Sequence, residues 1–110
     1  MAEGIPKIIK SDISSDFKVN AEEIERAIND KTKMIIINSP NNPSGSVFNE
    51  EDLNNIASVI KKYPNIFVLS DEIYEHINYG INHISFASID GMYDRTITVN
   101  GIAKAFAMTG

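Results

Sequence analysis

The sequence has no cysteine. That absence excludes disulfide scaffolds, thiolate metal sites and cysteine nucleophiles, and it fits a reducing compartment. Positive charge is in the minority: 10 Lys and Arg stand against 15 Asp and Glu, for a net charge of -5. A general nucleic-acid footprint is therefore not expected. The acidic residues are scattered, which reads as a solvated surface and not as an acidic tail. No apolar run approaches the ~20 residues of a membrane span. The N-terminal Met1-Ala2-Glu3-Gly4 lacks the basic and apolar parts of a secretion signal. The expectation is a cytoplasmic protein with neither membrane nor nucleic acid as partner. There is no Gly-rich phosphate loop and no His-Glu-x-x-His pattern, and neither His76 nor His83 has a metal-ligand partner at useful spacing. No metal is expected. Repeats, linkers and low-complexity segments are also missing.

What is present suits a soluble globular segment of one domain: 110 residues, 43% hydrophobic and 23% charged. Ile5 to Ile9 reads as a short strand and Ser14 to Lys18 as a loop. Asn20 with Glu23 three positions on forms a capping-box variant. Ile24, Ala27 and Ile28 follow at helical spacing, so the helix is expected to end near Asn29-Asp30. Met34 to Ile37 is a continuous apolar run, the pattern of a parallel strand buried on both faces. Asn49 caps a helix predicted from about Glu50 to Lys62, with Leu53, Ile56, Ala57 and Ile60 as its apolar stripe. Ile66 to Leu69 and Thr96 to Val99 are further strands. Glu72 to Ile77 and Ala103 to Met108 read as turns or short helical segments. Alternation of strand and helix predicts an α/β fold, three-layer, with a mostly parallel sheet and flanking helices.

Ligands of open α/β sheets sit beyond the carboxyl ends of the strands. Three polar clusters fall there: Ser39 to Gly45, Ser70 to Glu75 and Asn100 to Lys104. Adjacent parallel strands would bring a carboxylate, a phenol, an amide and an amine to one rim. A lysine can form a Schiff base with an aldehyde cofactor such as pyridoxal phosphate. A carboxylate beside the pyridine nitrogen keeps that nitrogen protonated. A phenol and an amide can hydrogen-bond the ring's phenolic oxygen, and a released lysine amine can carry a proton as general base. Each residue also has a plainer reading. Asp71 can cap the turn that follows it, Tyr74 can be a half-buried packing residue, and Asn42-Pro43 can be an ordinary turn. A lone lysine at a strand end is usually solvated. Lys104 differs in having Ile102, Ala103, Ala105 and Phe106 around it, and enclosure by them would disfavour its charged form. His76 and His83 are expected at the surface or the edge of the site, with no role. The three clusters together, more than any one of them, point to a cofactor site.

At these residues the sequence resembles fold-type I, class I/II aminotransferases. Asn38-Ser39-Pro40-Asn41-Asn42-Pro43-Ser44-Gly45 resembles the family's N-P-x-N-P-T-G loop, with Ser44 in place of the usual threonine. Ser70-Asp71-Glu72-Ile73-Tyr74 resembles its S/A-D-E-x-Y cofactor segment. Asn100 to Gly110 resembles the Schiff-base lysine segment, with Ala103 where many relatives have serine. His83-Ile84-Ser85-Phe86-Ala87 and Ala105 to Gly110 resemble the bacterial aspartate aminotransferase subgroup most. The resemblance implies that Asn42 and Tyr74 share the ring oxygen of pyridoxal 5'-phosphate. It implies that Asp71 pairs with the ring nitrogen and that Lys104 holds the cofactor and moves the substrate proton. Relatives suggest a cis bond before Pro43.

The resemblance further implies that residues 1–110 are part of a cofactor-binding large domain. The small domain, the N-terminal part, the ring-stacking aromatic and the phosphate and carboxylate arginines are expected outside this sequence, as is a second subunit of a homodimer. The expected function, in a full-length parent, is amino-group transfer between an amino acid, aspartate being favoured, and a 2-oxo acid. The isolated segment is expected to be inactive. The alternatives are another fold-type I pyridoxal-phosphate enzyme or a non-catalytic regulatory module that binds the cofactor.

Overall fold

In a computed structural model, which describes residues 3–109, three strands form one sheet in the order β1-β2-β3, all parallel: β1 (Met34–Asn38), β2 (Phe67–Asp71) and β3 (Thr96–Val99). The helices are α1 (Ala21–Ala27), α2 (Glu50–Lys61) and the short α3 (Ile102–Ala105). The N-terminal Met1-Ala2 and the final Gly110 of the lysine segment lie outside the described residues.

Both longer helices begin as their sequences predict. Asn20 accepts the Glu23 amide while the Glu23 carboxylate accepts the Asn20 amide, and Asn49 and Asp52 repeat the arrangement on α2. The predicted stripe of α2 is the centre of the core: Leu53, Ile56, Ala57 and Ile60 are all at most 2% exposed. Burying one such Leu or Ile side chain contributes about 1.5–3 kcal/mol. They pack with Ile24 of α1, with Ile37 and Val68 of the sheet, and with Phe86, Ile89 and Met92 from the long connection between β2 and β3. Two ion pairs tie α1 and its entry to α2: Lys18–Asp52 at 3.0 Å and Glu25–Lys62 at 2.8 Å. Lys62 titrates above its ordinary value because Glu25 accepts its hydrogen bond and adds a favourable charge.

Three expectations are corrected. Ile5 to Ile9 is not a strand. Ile5 and Ile8 are 96% and 80% exposed, and only Ile9 touches the core. A strand needs a hydrogen-bonded neighbour, and no described strand pairs with this segment. Helix α1 stops at Ala27, short of Asn29-Asp30. There the Asn29 and Thr32 side chains hydrogen-bond nearby backbone amides and close a turn that competes with further helix. The run Met34 to Ile37 is not buried on both faces. Ile37 is 8% exposed, whereas Ile36 on the opposite face is 70% exposed. The core built from α1, α2 and residues 86–92 covers the Ile37 and Val68 face, and Met34, Ile36, Phe67, Ile97 and Val99 stay exposed.

Candidate cofactor site at the strand ends

The parallel register places Asn38 beside Asp71 and Asp71 beside Val99, so the three strands end on one line. Each predicted polar cluster leaves from that line. The Asn38 side-chain amide donates to the Asp71 carbonyl at 3.0 Å, and the Ser39 amide donates to the same oxygen at 3.1 Å. Beyond β1 the loop folds on its own side chains. Asn41 donates to Asn38 Oδ1 at 2.9 Å and accepts the Ser44 hydroxyl at 2.7 Å, and the Gly45 amide closes on the Asn41 carbonyl. Gly45 has φ +74°, which favours a residue without Cβ. The bonds before Pro40 and Pro43 are both cis.

This loop carries Asn42 to Tyr74: Asn42 Nδ2 donates to Tyr74 Oη at 2.9 Å. The second amide proton and the phenol's own proton remain available to a common acceptor. Asn42 and Tyr74 line an open cleft of ≈ 370 Å³ together with Pro40, Pro43, Val47, Ile77, Tyr79 and Ile81, among others. A second depression, of ≈ 500 Å³, lies against the N-terminal turn of α1 and the side of α2, and none of the four candidate residues lines it.

Asp71 is half-buried at the end of β2, and its Oδ1 accepts the Ile73 amide at 3.2 Å. The turn-capping reading of this residue is thus realised through one carboxylate oxygen, which leaves the second for another partner. Lys104 lies on α3, five residues beyond the Val99 that pairs with Asp71. The lysine segment passes close to the Asp71 turn: a Cβ on Gly101 would stand 3.2 Å from Ile73 Cδ1. The apolar enclosure expected around Lys104 is not formed by the described residues, since Ile102 and Phe106 are 64% and 68% exposed. Sequence neighbours of a lysine on a single helical turn point away from it, so enclosure has to come from other elements.

Sequence reasoning passed over Glu72 and expected His83 at the surface or the edge of the site with no role, whereas its ring is largely enclosed against Glu72. Glu72 is 2% exposed. Its Oε1 accepts Ser70 Oγ, Ser85 Oγ and the Phe86 amide at 2.8, 3.0 and 3.1 Å, and its Oε2 meets His83 Nε2 at 2.9 Å. His83 is 11% exposed at its side chain and has Glu72 and Glu75 beside it, although no ligand-like partner stands near it in sequence. The strand parity held the missing signal. Val68, Ser70 and Glu72 share one face, and a carboxylate on the core side of a strand must find donors.

A parallel α/β sheet with amide, phenol, carboxylate and amine in the segments at its carboxyl rim belongs to the class of open α/β scaffolds that bind ligands at that rim. Comparison narrows that class. The family described as aminotransferase class I and II matches residues 2–110, and the chain belongs to it. The chain is 50% identical, over all of its length, to an aspartate aminotransferase of Pinus pinaster, of which it covers 23%. It is 46% identical over its whole length to one of Pyrococcus abyssi, covering 28% of that protein. The solved aspartate aminotransferase of Rhizobium meliloti superposes with a TM-score of 0.94 at 42% identity, over 98% of this chain and 28% of that one. The chain therefore spans about a quarter of the length of the relatives it matches.

Proposed function

We propose that this chain supplies the cofactor-ring half of an aminotransferase site, in a longer protein that moves an amino group between aspartate and a 2-oxo acid. The observation that carries the reading is the convergence at one rim. Asn42 and Tyr74 are joined at 2.9 Å, and Asp71 stands in register between β1 and β3. Aspartate as donor is the proposal that follows from the names of the relatives in Pinus pinaster and Pyrococcus abyssi.

The donor set fits pyridoxal 5'-phosphate. Two unspent protons at Asn42 and Tyr74 suit the phenolic oxygen, the second oxygen of Asp71 suits a protonated ring nitrogen, and the Lys104 amine suits the aldehyde. When bound, the group supplies an electron sink for the carbanion formed at the substrate α-carbon. The Asp71 carboxylate holds a proton on the ring nitrogen by charge. Asn42 and Tyr74 orient the ring by donating to one side of it. Lys104 anchors the cofactor at rest, and its freed amine then takes and returns the substrate proton. The chain is proposed to be a section of the cofactor-binding large domain of a cytoplasmic homodimer. Grips for the phosphate and the substrate carboxylate would come from the rest of the protein. Among the described residues no helix is long and apolar enough to cross a membrane.

The test is made in the full-length protein. Treated with pyridoxal phosphate and then borohydride, it should carry the cofactor covalently at Lys104, Lys104→Ala should lose that attachment, and the unreduced protein should turn over aspartate with a 2-oxo acid. The 110-residue chain alone should give no turnover. Wild-type protein that borohydride leaves unlabelled at Lys104 overturns the site. Labelling at Lys104 without turnover on any amino donor shows a regulatory module instead.

A further inference from the structure

Glu72 has a buried carboxylate that the reaction outlined above does not use. An ionised carboxylate only accepts hydrogen bonds, and burial without donors is costly. Here the donors are complete. One oxygen takes two hydroxyls and a backbone amide, from Ser70, Ser85 and Phe86, and the other takes the His83 ring. Three of these four partners belong to residues 83–86, so the carboxylate binds the middle of the β2–β3 connection to the end of β2. Its own backbone works in the same place. The Glu72 amide donates to the Val99 carbonyl at 2.8 Å, which extends the β2–β3 pairing past Asp71. The Glu72 carbonyl accepts the Glu75 amide at 2.9 Å, closing the turn that holds Tyr74.

Asp71 and Glu72 are consecutive at a strand end, so their side chains leave on opposite faces. Rotation of the backbone that re-aims Asp71 would drag the Glu72 carboxylate off four partners. We propose that Glu72 is a positioning residue for the cofactor site: its buried clamp fixes the direction of the Asp71 carboxylate and the Tyr74 hydroxyl. The proposal rests on the reading of the site given above and deepens it.

The experiment uses the full-length protein loaded with pyridoxal phosphate labelled with ¹⁵N in the ring. It follows the pH midpoint of ring-nitrogen protonation by NMR, with kcat and KM alongside. Glu72→Leu, which keeps the volume apolar and removes the acceptors, should lower that midpoint. It should also lower kcat about 10²-fold, the cost of misplacing a reacting group by ~1 Å, while KM for the amino donor holds. Glu72→Gln keeps an oxygen for Ser70, Ser85 and Phe86 and should restore most of the midpoint. A folded Glu72→Leu protein with the wild-type midpoint overturns the proposal. If that variant does not fold, His83→Leu and Ser85→Ala each remove one donor and should shift the midpoint less in the same direction; unshifted midpoints in both overturn it. Asp71→Asn separates the two layers of argument. A shifted midpoint there with none in the Glu72 series sinks only the positioning role. No shift in Asp71→Asn sinks the reading of the site itself.

Discussion

Removing the Tyr74 hydroxyl and the Asn42 amide, singly and together, tests whether the pair works as one unit. The structure joins them by a neutral hydrogen bond of 2.9 Å at the mouth of an open cleft, with Asn42 exposed and Tyr74 half-buried. Such a bond contributes about 1 kcal/mol net. In the proposed site each partner also donates once to the ring oxygen. Tyr74→Phe then loses two bonds, its own and the shared one, or about 2 kcal/mol of the unfolding free energy of the cofactor-loaded protein. Asn42→Ala should lose a similar amount for the same reason. The double variant removes three bonds, not four, so it should fall about 3 kcal/mol. Independent residues would add to about 4 kcal/mol instead, and the shortfall of about 1 kcal/mol is the coupling that a double-mutant cycle reports. The assay is urea unfolding of the full-length protein loaded with pyridoxal phosphate at fixed pH. A double variant at the added value, or single variants that lose less than about 0.5 kcal/mol, would refute the reasoning.

Arg95 is the structural counterpart of that test. Its guanidinium donates to the carbonyls of Ile60, Tyr63 and Ile66, bracing the end of α2 against the start of β3. Arg95→Met should cost about 3 kcal/mol in urea unfolding, since bonds from a charged donor are strong and the acceptors are left behind; a cost below about 1 kcal/mol would mean that water replaces the donor. Asp90 offers a check on surface electrostatics. The Lys61 ammonium, 2.8 Å away, holds its carboxyl below the ordinary 3.8, first by the hydrogen bond and then by charge. The pairing therefore contributes above that pH and is lost as pH falls through the depressed value. In Lys61→Ala the midpoint, followed by carbon NMR, should rise toward 3.8; an unchanged midpoint would show that the pair does not form.

Local signals in the chain determined much of this protein. Asn20 with Glu23 and Asn49 with Asp52 mark helix starts because a side-chain oxygen satisfies amides only a turn away. The α2 stripe and all three sheet strands were legible because period and branching are properties of short segments. The polar segments that leave the three strand ends were legible because each is contiguous in sequence. Tertiary structure decided the rest, since it depends on partners distant in the chain. Ile36 is exposed while Ile37 is buried because helices pack on one face only among the described residues, and no apolar run states how many faces will be covered. Ile5 to Ile9 has strand-like composition but no neighbour to pair with among the described residues. Glu72 stands in the middle of a motif, yet its burial and its bonds to Ser85 and Phe86 exist only once β2 meets a segment 13 and 14 residues further on. Burial is a relation between surfaces, and a one-dimensional pattern carries only one side of it.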